Sequence, residues 1–421
     1  MLRAIANSKQ DWLKYLENCH PKSIDLGLDR IKIVARRLEL LHFDCPVISV
    51  AGTNGKGSCV ALTHAILTAA GYRVASYTSP HLIDFNERIQ IEESFVSDAA
   101  LCMAFETIEH IRREITLTYF EFTTLAALWL FKQVALDIII LEVGLGGRLD
   151  AVNCVDADIA VISTVDLDHL EWLGDTRELI AREKAGIMRS NKPCVFGDFS
   201  LPSTIVEQAN ALNTPLYLQG KTFDYKIHTS TWSWQSQQQT LVNLPLPKVD
   251  LQNAATVLQI IELLSDQFCI SRKAIELGLK RAFIPGRFQI IEKELALLIL
   301  DVAHNPAGGR CLAKRLAKEP CTGKTHAVVG MLADKDVANT LAALTSQVDY
   351  WYLATLKVPR GATADQLNKY LITINQPSAA LMFSSPIVAV RHACKAAQKD
   401  DRMLVFGSFH TVGLILKDLY L

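Results

Sequence analysis

The stretch of sequence that decides the fold is VAGTNGKGS, residues 50–58. It nearly matches the phosphate-binding loop G-x-x-x-x-G-K-[ST], but it departs from that pattern in two places. Only two residues separate Gly52 from Gly55, and Gly57 stands between the lysine and the serine. An apolar strand pattern precedes the loop and a helical pattern follows it. This setting suits a phosphate site, because a helix N-terminus presents free N–H groups and a positive dipole end.

The residue types of this loop indicate phosphate chemistry. Glycines let the backbone curl so that successive N–H groups converge on phosphate oxygens. Lys56 would place a positive charge against the terminal phosphates, and Ser58 would offer a hydroxyl group to Mg²⁺. The alternative is a tight turn with a solvated lysine, and the flanking strand and helix favour the phosphate site.

Unmixed apolar runs alternate with helical patterns on the C-terminal side of the loop. The runs DIIILEV (137–143) and ADIAVISTV (157–165) are typical of buried parallel strands, so the sequence predicts a mostly parallel sheet covered on both faces. Residues 216–249 alternate polar and apolar side chains instead. That alternation predicts an antiparallel hairpin appended to the main sheet.

The length of the chain indicates two domains. A chain of 421 residues is too long for one comfortable core. A second α/β series starts after Pro285-Gly286, a pair that commonly interrupts regular structure. We therefore predict an α/β protein with a phosphate-loop domain at residues 1–284 and a smaller α/β domain at residues 285–421.

Composition excludes several classes of protein. The chain has 43 basic and 44 acidic residues, a net charge of −1, so no broad basic field favours nucleic acid or a membrane surface. Ten cysteines without a C-x-x-C pair indicate reduced thiols rather than a disulfide framework or a zinc site. The apolar runs are too short for a signal peptide or a membrane span. We expect a cytoplasmic protein and, with no oligomerisation signal in the sequence, a monomer.

Polar side chains follow three of the predicted strands of the first domain. Glu142 ends a very apolar strand, where a carboxylate is costly to bury unless it pairs with a cation or binds a metal. The next strand is followed by three further polar residues, Asp166, Asp168 and His169. They predict a second side of the same metal site, the alternative being a structural histidine. Ser79-Pro80 lies where parallel sheets bind ligands, although such a pair is often only a turn.

The second domain repeats this arrangement. Asp301 and His304 follow the apolar strand LALLIL, and Arg287 follows the Pro-Gly break. The sequence thus predicts a second site at the carboxyl edge of another sheet. Two such edges facing a cleft are what an enzyme with two substrates requires.

Taken together, these motifs resemble those of the folylpolyglutamate synthase/dihydrofolate synthase family, relatives of the Mur peptide ligases. The resemblance runs almost end to end, and in this family the glycine after the lysine is the expected form of the loop. It implies a P-loop central domain like that of Mur ligases and a smaller Rossmann-like C-terminal domain. The motifs, in order, are GTNGKGS (52–58), TSPHL (78–82), NERI (86–89), EVGLGGRLDAVN (142–153), LDH (167–169), EKAGI (183–187), PGRF (285–288), DVAHNP (301–306) and GSFHTV (407–412).

The resemblance implies ATP as a co-substrate and two Mg²⁺ ions. ATP would contact the loop residues Gly52, Thr53, Asn54, Gly55, Lys56, Gly57 and Ser58, together with Asn253, Arg287 and Asp301. The metal ligands would be Ser58, Ser79, Glu142 and His169, and a monovalent cation such as K⁺ is also compatible with the family. Lys56 and His304 would take part in catalysis.

Two further roles come from the resemblance alone. Lys184 matches a family lysine that CO₂ can carbamylate, whereas the residues themselves indicate only a solvated helix face. Phe120 and Asp150, with Ser79 and Pro80, fall where the family recognises dihydropteroate.

The implied function is ATP-dependent ligation of L-glutamate. The acceptors would be 7,8-dihydropteroate and the γ-carboxyl of reduced folates, each activated as an acyl phosphate because carboxylates are poor electrophiles. TYFEFTTLAAL (118–128) favours the bifunctional members of the family. The alternatives are a monofunctional folylpolyglutamate synthase, a cell-wall ligase of the Mur type, and a P-loop switch. Only residues 1–46 precede the first strand, which disfavours a nucleotide-sugar domain, and the Asp301/His304 edge disfavours the switch.

Overall fold

The computed structural model describes residues 8–292, 296–374 and 380–420. The chain packs into two compact units. The P-loop unit comprises the described chain up to Pro80 together with Asn86–Phe283, and the C-terminal unit comprises His81–Phe85 and the described chain from Ile284 onward. The division falls one residue before the predicted boundary. The sequence does not predict that His81–Phe85 belongs to the C-terminal unit.

An eight-stranded, mostly parallel sheet forms the centre of the P-loop unit. Its strands are β1 (Val47–Ala51), β2 (Val74–Tyr77), β3 (Ile89–Ile91), β4 (Ser94–Phe95), β5 (Ile138–Glu142), β6 (Ile159–Ile162), β7 (Cys194–Phe196) and β8 (Leu216–Leu218). Their order is β4-β3-β2-β5-β1-β6-β7-β8; the β2–β3 and β3–β4 pairs are antiparallel, and the other pairs of this sheet are parallel. Every residue of β1 is buried, as expected for a central strand covered on both faces.

Helices flank this sheet, and most of them begin at a residue that caps the first turn. They are α1 (Lys9–Leu16), α2 (Asp29–Arg37), α3 (Lys56–Ala69), α4 (Asp98–Arg112), α5 (Tyr119–Lys132), α6 (Leu170–Leu173), α7 (Arg177–Ala185), α8 (Ser203–Ala211), α9 (Leu251–Leu264) and α10 (Arg272–Arg281), with 3₁₀ turns at Phe85–Arg88 and Ala151–Cys154. Side-chain caps hold α4, α5 and α7 at Ser97, Thr118 and Thr176, because each side chain accepts an orphan N–H of the first turn.

The predicted hairpin is instead a separate three-stranded antiparallel sheet. It contains β9 (Phe223–Ile227), β10 (Thr231–Ser236) and β11 (Thr240–Pro245), in the order β11-β10-β9. Within residues 216–249, β8 does join the main sheet, parallel to β7, whereas β9–β11 pair with one another. The prediction that the antiparallel strands are appended to the main sheet is therefore wrong. Trp232 and Trp234 are fully buried on one face of β10, and β9 and β10 pack against α9.

The C-terminal unit is a second α/β layer structure. Its strands are β12 (Gln289–Glu292), β13 (Ala296–Asp301), β14 (Thr325–Val329), β15 (Tyr350–Ala354), β16 (Leu381–Phe383) and β17 (Asp401–Phe406), and its helices are α11 (Pro306–Lys318), α12 (Val337–Ala342), α13 (Ala364–Thr373), α14 (Pro386–Ala396) and α15 (Phe409–Tyr420), with a 3₁₀ turn at Thr345–Gln347. The strand order is β12-β13-β17-β14-β15-β16, parallel except for β12. Apolar clusters cover both faces, so the predicted α/β class is confirmed in both units.

Two exclusions drawn from composition can be compared with the structure. Across the described ranges, each helix is too short or too polar to span a bilayer. All ten cysteines are free thiols in the structure.

Candidate active site

The phosphate-type loop lies between β1 and α3 and is held by the end of β6. The Thr53 N–H donates to the Thr164 carbonyl at 2.8 Å, and the Asn54 N–H donates to Thr164 Oγ1 at 3.0 Å. The Ser163 hydroxyl group donates a hydrogen bond to the Asn54 carbonyl at 2.6 Å. The loop is therefore fixed by its neighbour strand before any ligand binds.

Gly55 and Lys56 form the start of α3. Gly55 has φ +87°, a left-handed conformation that favours glycine, and a Cβ there would lie 2.4 Å from Asn253 Oδ1. This contact brings Asn253, a predicted nucleotide residue, against the loop. Lys56 Nζ donates to the Gly52 carbonyl at 2.9 Å, which holds the ammonium group over the loop.

Glu142 lies beside both the loop and Ser79. It ends β5, between β2 and β1, and is 5% exposed. The Ser79 N–H donates to Glu142 Oε2 at 3.1 Å, and a Cβ on Gly57 would lie 3.8 Å from the same oxygen. The structure thus brings Glu142, Ser79 and the start of α3 together at the carboxyl edge of the sheet.

These residues fit a divalent cation of the Mg²⁺ type. A buried carboxylate beside a helix N-terminus that carries Ser58 supplies the hard oxygen donors that Mg²⁺ prefers. In the part of the chain that the structure describes, no group of three or more His, Cys, Asp or Glu side chains could hold a metal ion. The predicted metal site contains only two residues of those types, Glu142 and His169, and completes its ligands with serine hydroxyl groups. A search for three such side chains therefore does not test it.

His169 follows β6 at the same edge of the sheet. It caps the short helix α6 with φ +51°, its side chain is 39% exposed, and Nε2 lies 4.0 Å from Asp168 Oδ1. Its membership of the metal site stays a prediction.

Lys184 is buried, which the residue pattern did not predict. The side chain on α7 is 3% exposed, and burial, with the charge of Lys56, lowers the pKa of Lys184 to about 7, although Asp168 and Asp150 oppose that shift. The solvated helix face predicted from EKAGI is therefore wrong at this residue. The cause is close packing: a Cβ on Gly147 would lie 3.0 Å from the Lys184 Cα atom. The Gly146-Gly147 pair before Arg148 was the one feature of the sequence that could have indicated this close contact with α7.

Phe120 and Asp150 meet at the loop after β5. A Cβ on Gly144 would lie 2.5 Å from Phe120 Cζ, and the Phe120 ring stacks on Tyr77 with centroids 6.0 Å apart. Asp150 accepts the Leu145 N–H at 2.8 Å. Burial raises the pKa of Asp150 to about 6 against the effect of its backbone hydrogen bonds. Asp150 thus lies in the loop that starts directly after Glu142, and Phe120, at the start of α5, packs against Gly144 of the same loop.

The predicted residues of the C-terminal unit also come together. Asp301 ends β13 and accepts the Phe288 and Ala303 N–H groups at 2.8 Å each, and burial raises its pKa although the charge of Arg287 opposes this. The Phe409 ring lies 5.5 Å from the Arg287 guanidinium and 6.0 Å from the His304 ring. Sequence reasoning did not select Phe409 as a site residue, although the motif GSFHTV contains it.

The His304 ring is held in one orientation. Its Nδ1 lies 2.8 Å from the Val302 carbonyl, so Nδ1 carries the proton that it donates, and Nε2 is the acceptor in the neutral ring. Asn305 caps α11 by accepting the Gly308 N–H at 2.8 Å, with Pro306 in the first turn as predicted.

Comparison with known protein families gives the class of this fold and site. The Mur ligase middle domain matches residues 50–200, and the Mur ligase glutamate ligase domain matches residues 286–409. The matched ranges contain the phosphate-type loop and Glu142 in one unit, and Arg287, Asp301 and His304 in the other. The chain is thus an ATP-dependent ligase of the Mur class.

Comparison with individual relatives identifies the family within the Mur class to which the chain belongs. The dihydrofolate synthase/folylpolyglutamate synthase of Escherichia coli is 47% identical over 98% of this chain and 96% of its own, and that of Haemophilus influenzae is 44% identical over 96% and 95%. The structure of E. coli FolC with DHPP and ADP matches with a TM-score of 0.95 at 45% identity, covering 100% of this chain and 99% of the other. The bifunctional enzyme of Yersinia pestis, complexed with AMPPNP and Mn, matches with a TM-score of 0.93 at 46% identity over 100% of both chains. The chain therefore belongs to the dihydrofolate synthase/folylpolyglutamate synthase family.

These comparisons confirm the predicted family, fold class and ligase activity. They also confirm the bifunctional assignment, since relatives with both activities in their names match nearly the whole chain at 44–47% identity. A folylpolyglutamate synthase from Lacticaseibacillus casei matches at 33% identity over 73% of the chain.

Proposed function

We propose that this chain ligates L-glutamate to 7,8-dihydropteroate and to the γ-carboxyl of reduced folates at one site, through acyl phosphates formed from ATP. The observation that supports a shared site is the loop from Glu142 to Asp150. Its first residue touches the start of α3, where ATP phosphates would bind, and its later residues meet Phe120. A pterin held near Phe120 would therefore have the phosphate-binding helix at the other end of the same loop.

In the first step, an oxygen of the acceptor carboxylate attacks the γ-phosphorus of ATP. The bond from that phosphorus to the β–γ bridging oxygen breaks, and ADP leaves. The loop N–H groups and Lys56 bind the phosphates and offset the charge that develops on them. Ser58, Ser79, Glu142 and His169 would hold two Mg²⁺ ions, which when bound neutralise the phosphate oxygens. Asn253, Arg287 and Asp301 would contact the nucleotide.

In the second step, the α-amino group of L-glutamate attacks the acyl carbon. The tetrahedral adduct loses a proton from nitrogen and expels inorganic phosphate, which leaves an amide. We assign to His304 Nε2 the task of accepting that proton, because the Nδ1 bond to the Val302 carbonyl leaves Nε2 as the basic atom of the neutral ring.

Lys184 would act as a carbamate rather than as an ammonium group. A neutral amine attacks CO₂ and releases one proton, which gives an N-carboxylate, and burial lowers the pKa of Lys184 to about 7, so that a substantial fraction of the amine is neutral at pH 7. The resulting anion would favour the divalent cations and offset the charge of Lys56. ¹³C NMR of the protein in ¹³C-bicarbonate checks this: a carbamate resonance should be present in the wild type and absent from Lys184→Arg.

The test of the main proposal is ATP-dependent incorporation of labelled glutamate with each acceptor. Both acceptors should yield product, each should inhibit ligation to the other competitively, and Phe120→Ala should raise KM for dihydropteroate. Ligation to a reduced folate without any ligation to dihydropteroate would make the chain monofunctional. Non-competitive inhibition between the two acceptors would refute the shared site.

A further inference from the structure

A network of polar contacts joins the loop between α1 and α2 to the start of α5. His20 Nε2 lies 3.1 Å from Asp25 Oδ2, and His20 Nδ1 lies 2.9 Å from Thr116 Oγ1. Arg30 Nη1 pairs with Asp25 Oδ2 at 2.7 Å, and Arg30 Nη2 donates to the Asp25 carbonyl at 2.6 Å. Arg30 Nη2 also lies 3.3 Å from Glu121 Oε1. The network therefore holds the segment before α5 at Thr116 and its first turn at Glu121.

Glu121 takes part in both a helix cap and an ion pair with Arg30 in this network. Its Oε2 accepts the Thr118 N–H at 2.8 Å, while Thr118 Oγ1 accepts the Glu121 N–H at 3.2 Å, and these two bonds form a capping box. The same Oε2 also accepts a long hydrogen bond from Arg30 Nε at 3.5 Å. Its Oε1 makes no hydrogen bond and faces only the charge of Arg30 among the contacts described here. Glu121 is 3% exposed, so a carboxylate oxygen in that position depends on the guanidinium group.

Phe120 directly precedes Glu121 and has little room to move. Its ring packs over Gly144 and stacks on Tyr77, whose hydroxyl lies 3.0 Å from Thr123 Oγ1 on the next turn of α5. A shift of the first turn of α5 would therefore move the Phe120 ring away from Gly144. Phe120 remains partly exposed, so one part of the ring is available to a ligand.

We infer that Arg30 and Glu121 are positioning residues that hold the Phe120 ring in place for the flat heteroaromatic ring of the acceptor. This inference rests on the proposed role of Phe120 in pterin binding. Neither Arg30 nor Glu121 needs to touch the acceptor: the Arg30–Glu121 ion pair fixes the first turn of α5, and the turn fixes the ring. Stacking of two aromatic rings depends on their offset, so a small displacement weakens acceptor binding without affecting ATP.

Glu121→Gln separates this role from helix capping. Glutamine still accepts the Thr118 N–H through its amide oxygen, so the capping box survives while the charge facing Arg30 is lost. KM for dihydropteroate should rise on the order of tenfold, since misplacement of a positioning group by about 1 Å can cost up to about 100-fold. KM for ATP and the thermal midpoint should change little. Glu109→Gln is the matched control, because it removes the carboxylate of another partly buried ion pair, with Arg112 at 2.6 Å on α4, away from Phe120.

The dependence on Phe120 is measured by repeating Glu121→Gln in a Phe120→Ala background. In the Phe120→Ala background, Glu121→Gln should raise KM for dihydropteroate by less than twofold, because the aromatic ring that it would displace is absent. An equal, multiplicative rise in both backgrounds would overturn the inference, as would an unchanged KM in Glu121→Gln alone while Phe120→Ala raises it. If Phe120→Ala itself leaves KM unchanged, the proposed role of Phe120 fails first, and the inference fails with it. Arg30→Lys should restore part of the affinity lost in Arg30→Met.

Discussion

Replacing Lys184 by methionine should stabilise the protein while it removes activity, and the gain should depend on pH. Burial lowers the pKa of Lys184 from its ordinary value of 10.5 to about 7. The difference, 10.5 − 7, is about 3.5 pKa units, which at about 1.36 kcal/mol per unit corresponds to roughly 5 kcal/mol against the charged form in the folded state. Methionine has similar length and carries no charge to desolvate.

The sign follows from the protons bound in each state. Between about pH 7 and pH 10.5 the unfolded chain holds a proton on Lys184 that the folded chain has lost, so wild-type stability rises with pH across that window. Below pH 7 both states are protonated and the folded state carries the full penalty. The advantage of Lys184→Met should be roughly 5 kcal/mol at pH 6 and should fall to about 1 kcal/mol at pH 9.5.

Urea unfolding in CO₂-free buffer at these two pH values, monitored by tryptophan fluorescence, measures the gain in the free energy of unfolding. Five of the six tryptophans lie in the P-loop unit, so the signal reports mainly on the unit that contains Lys184. The control is Lys192→Met, because the Lys192 side chain is 50% exposed and its ion pair with Asp158 lies at the surface. The free energy of unfolding of that variant should stay within about 0.5 kcal/mol of the wild-type value at both pH values. A gain that is the same at pH 6 and pH 9.5, or a loss at pH 6, would refute the reasoning.

Three other substitutions test the loops around the phosphate site. Lys56→Ala should abolish ligation and leave the circular dichroism spectrum unchanged, and near-normal turnover would contradict the role given to this loop. Gly55→Ala forces an alanine to φ +87° against Asn253, so it should cost about 1–3 kcal/mol in urea unfolding and raise KM for ATP; an unchanged midpoint would show that the loop yields. Gly144→Ala places a Cβ 2.5 Å from Phe120 Cζ and should raise KM for dihydropteroate more than KM for ATP; equal rises would argue for general damage to the loop.

The sequence was sufficient to predict the central part of the P-loop unit. Apolar runs predicted β5 and β6. The strand predicted before the loop at residues 50–58 is β1, and the helix predicted after it is α3. Polar residues after those strands were expected at one edge, and the register that pairs Val50 with Glu142 places the carboxylate beside the loop. These predictions succeed because each depends on local periodicity and on the rule that parallel strands end at the same edge.

Other features depended on packing between segments that are distant in sequence. Lys184 is buried because the glycine-rich loop fits closely against α7, and a helix pattern with charges at neighbouring positions contains no sign of that contact. His81–Phe85 belongs to the C-terminal unit because Leu82 fits against Gly286 and Gly413, where any Cβ would collide. The three strands β9–β11 were read as one hairpin because alternation predicts pairing but does not fix how many strands pair.

The departure of the loop from the common phosphate pattern has a physical explanation in this structure. Gly57 stands where that pattern places a serine or threonine, and its Cα hydrogen faces the Glu142 carboxylate, with Oε2 only 3.8 Å from where a Cβ would be. A methyl group would fit there, but a longer side chain would extend into the space between the start of α3 and Glu142. Ser58 follows one position later on the same first turn, so a hydroxyl group remains in the helix N-terminus. The glycine therefore leaves room beside a buried acid, where the proposed phosphate and its cation would lie, and the same acid accepts the N–H of Ser79, which follows the neighbouring strand β2.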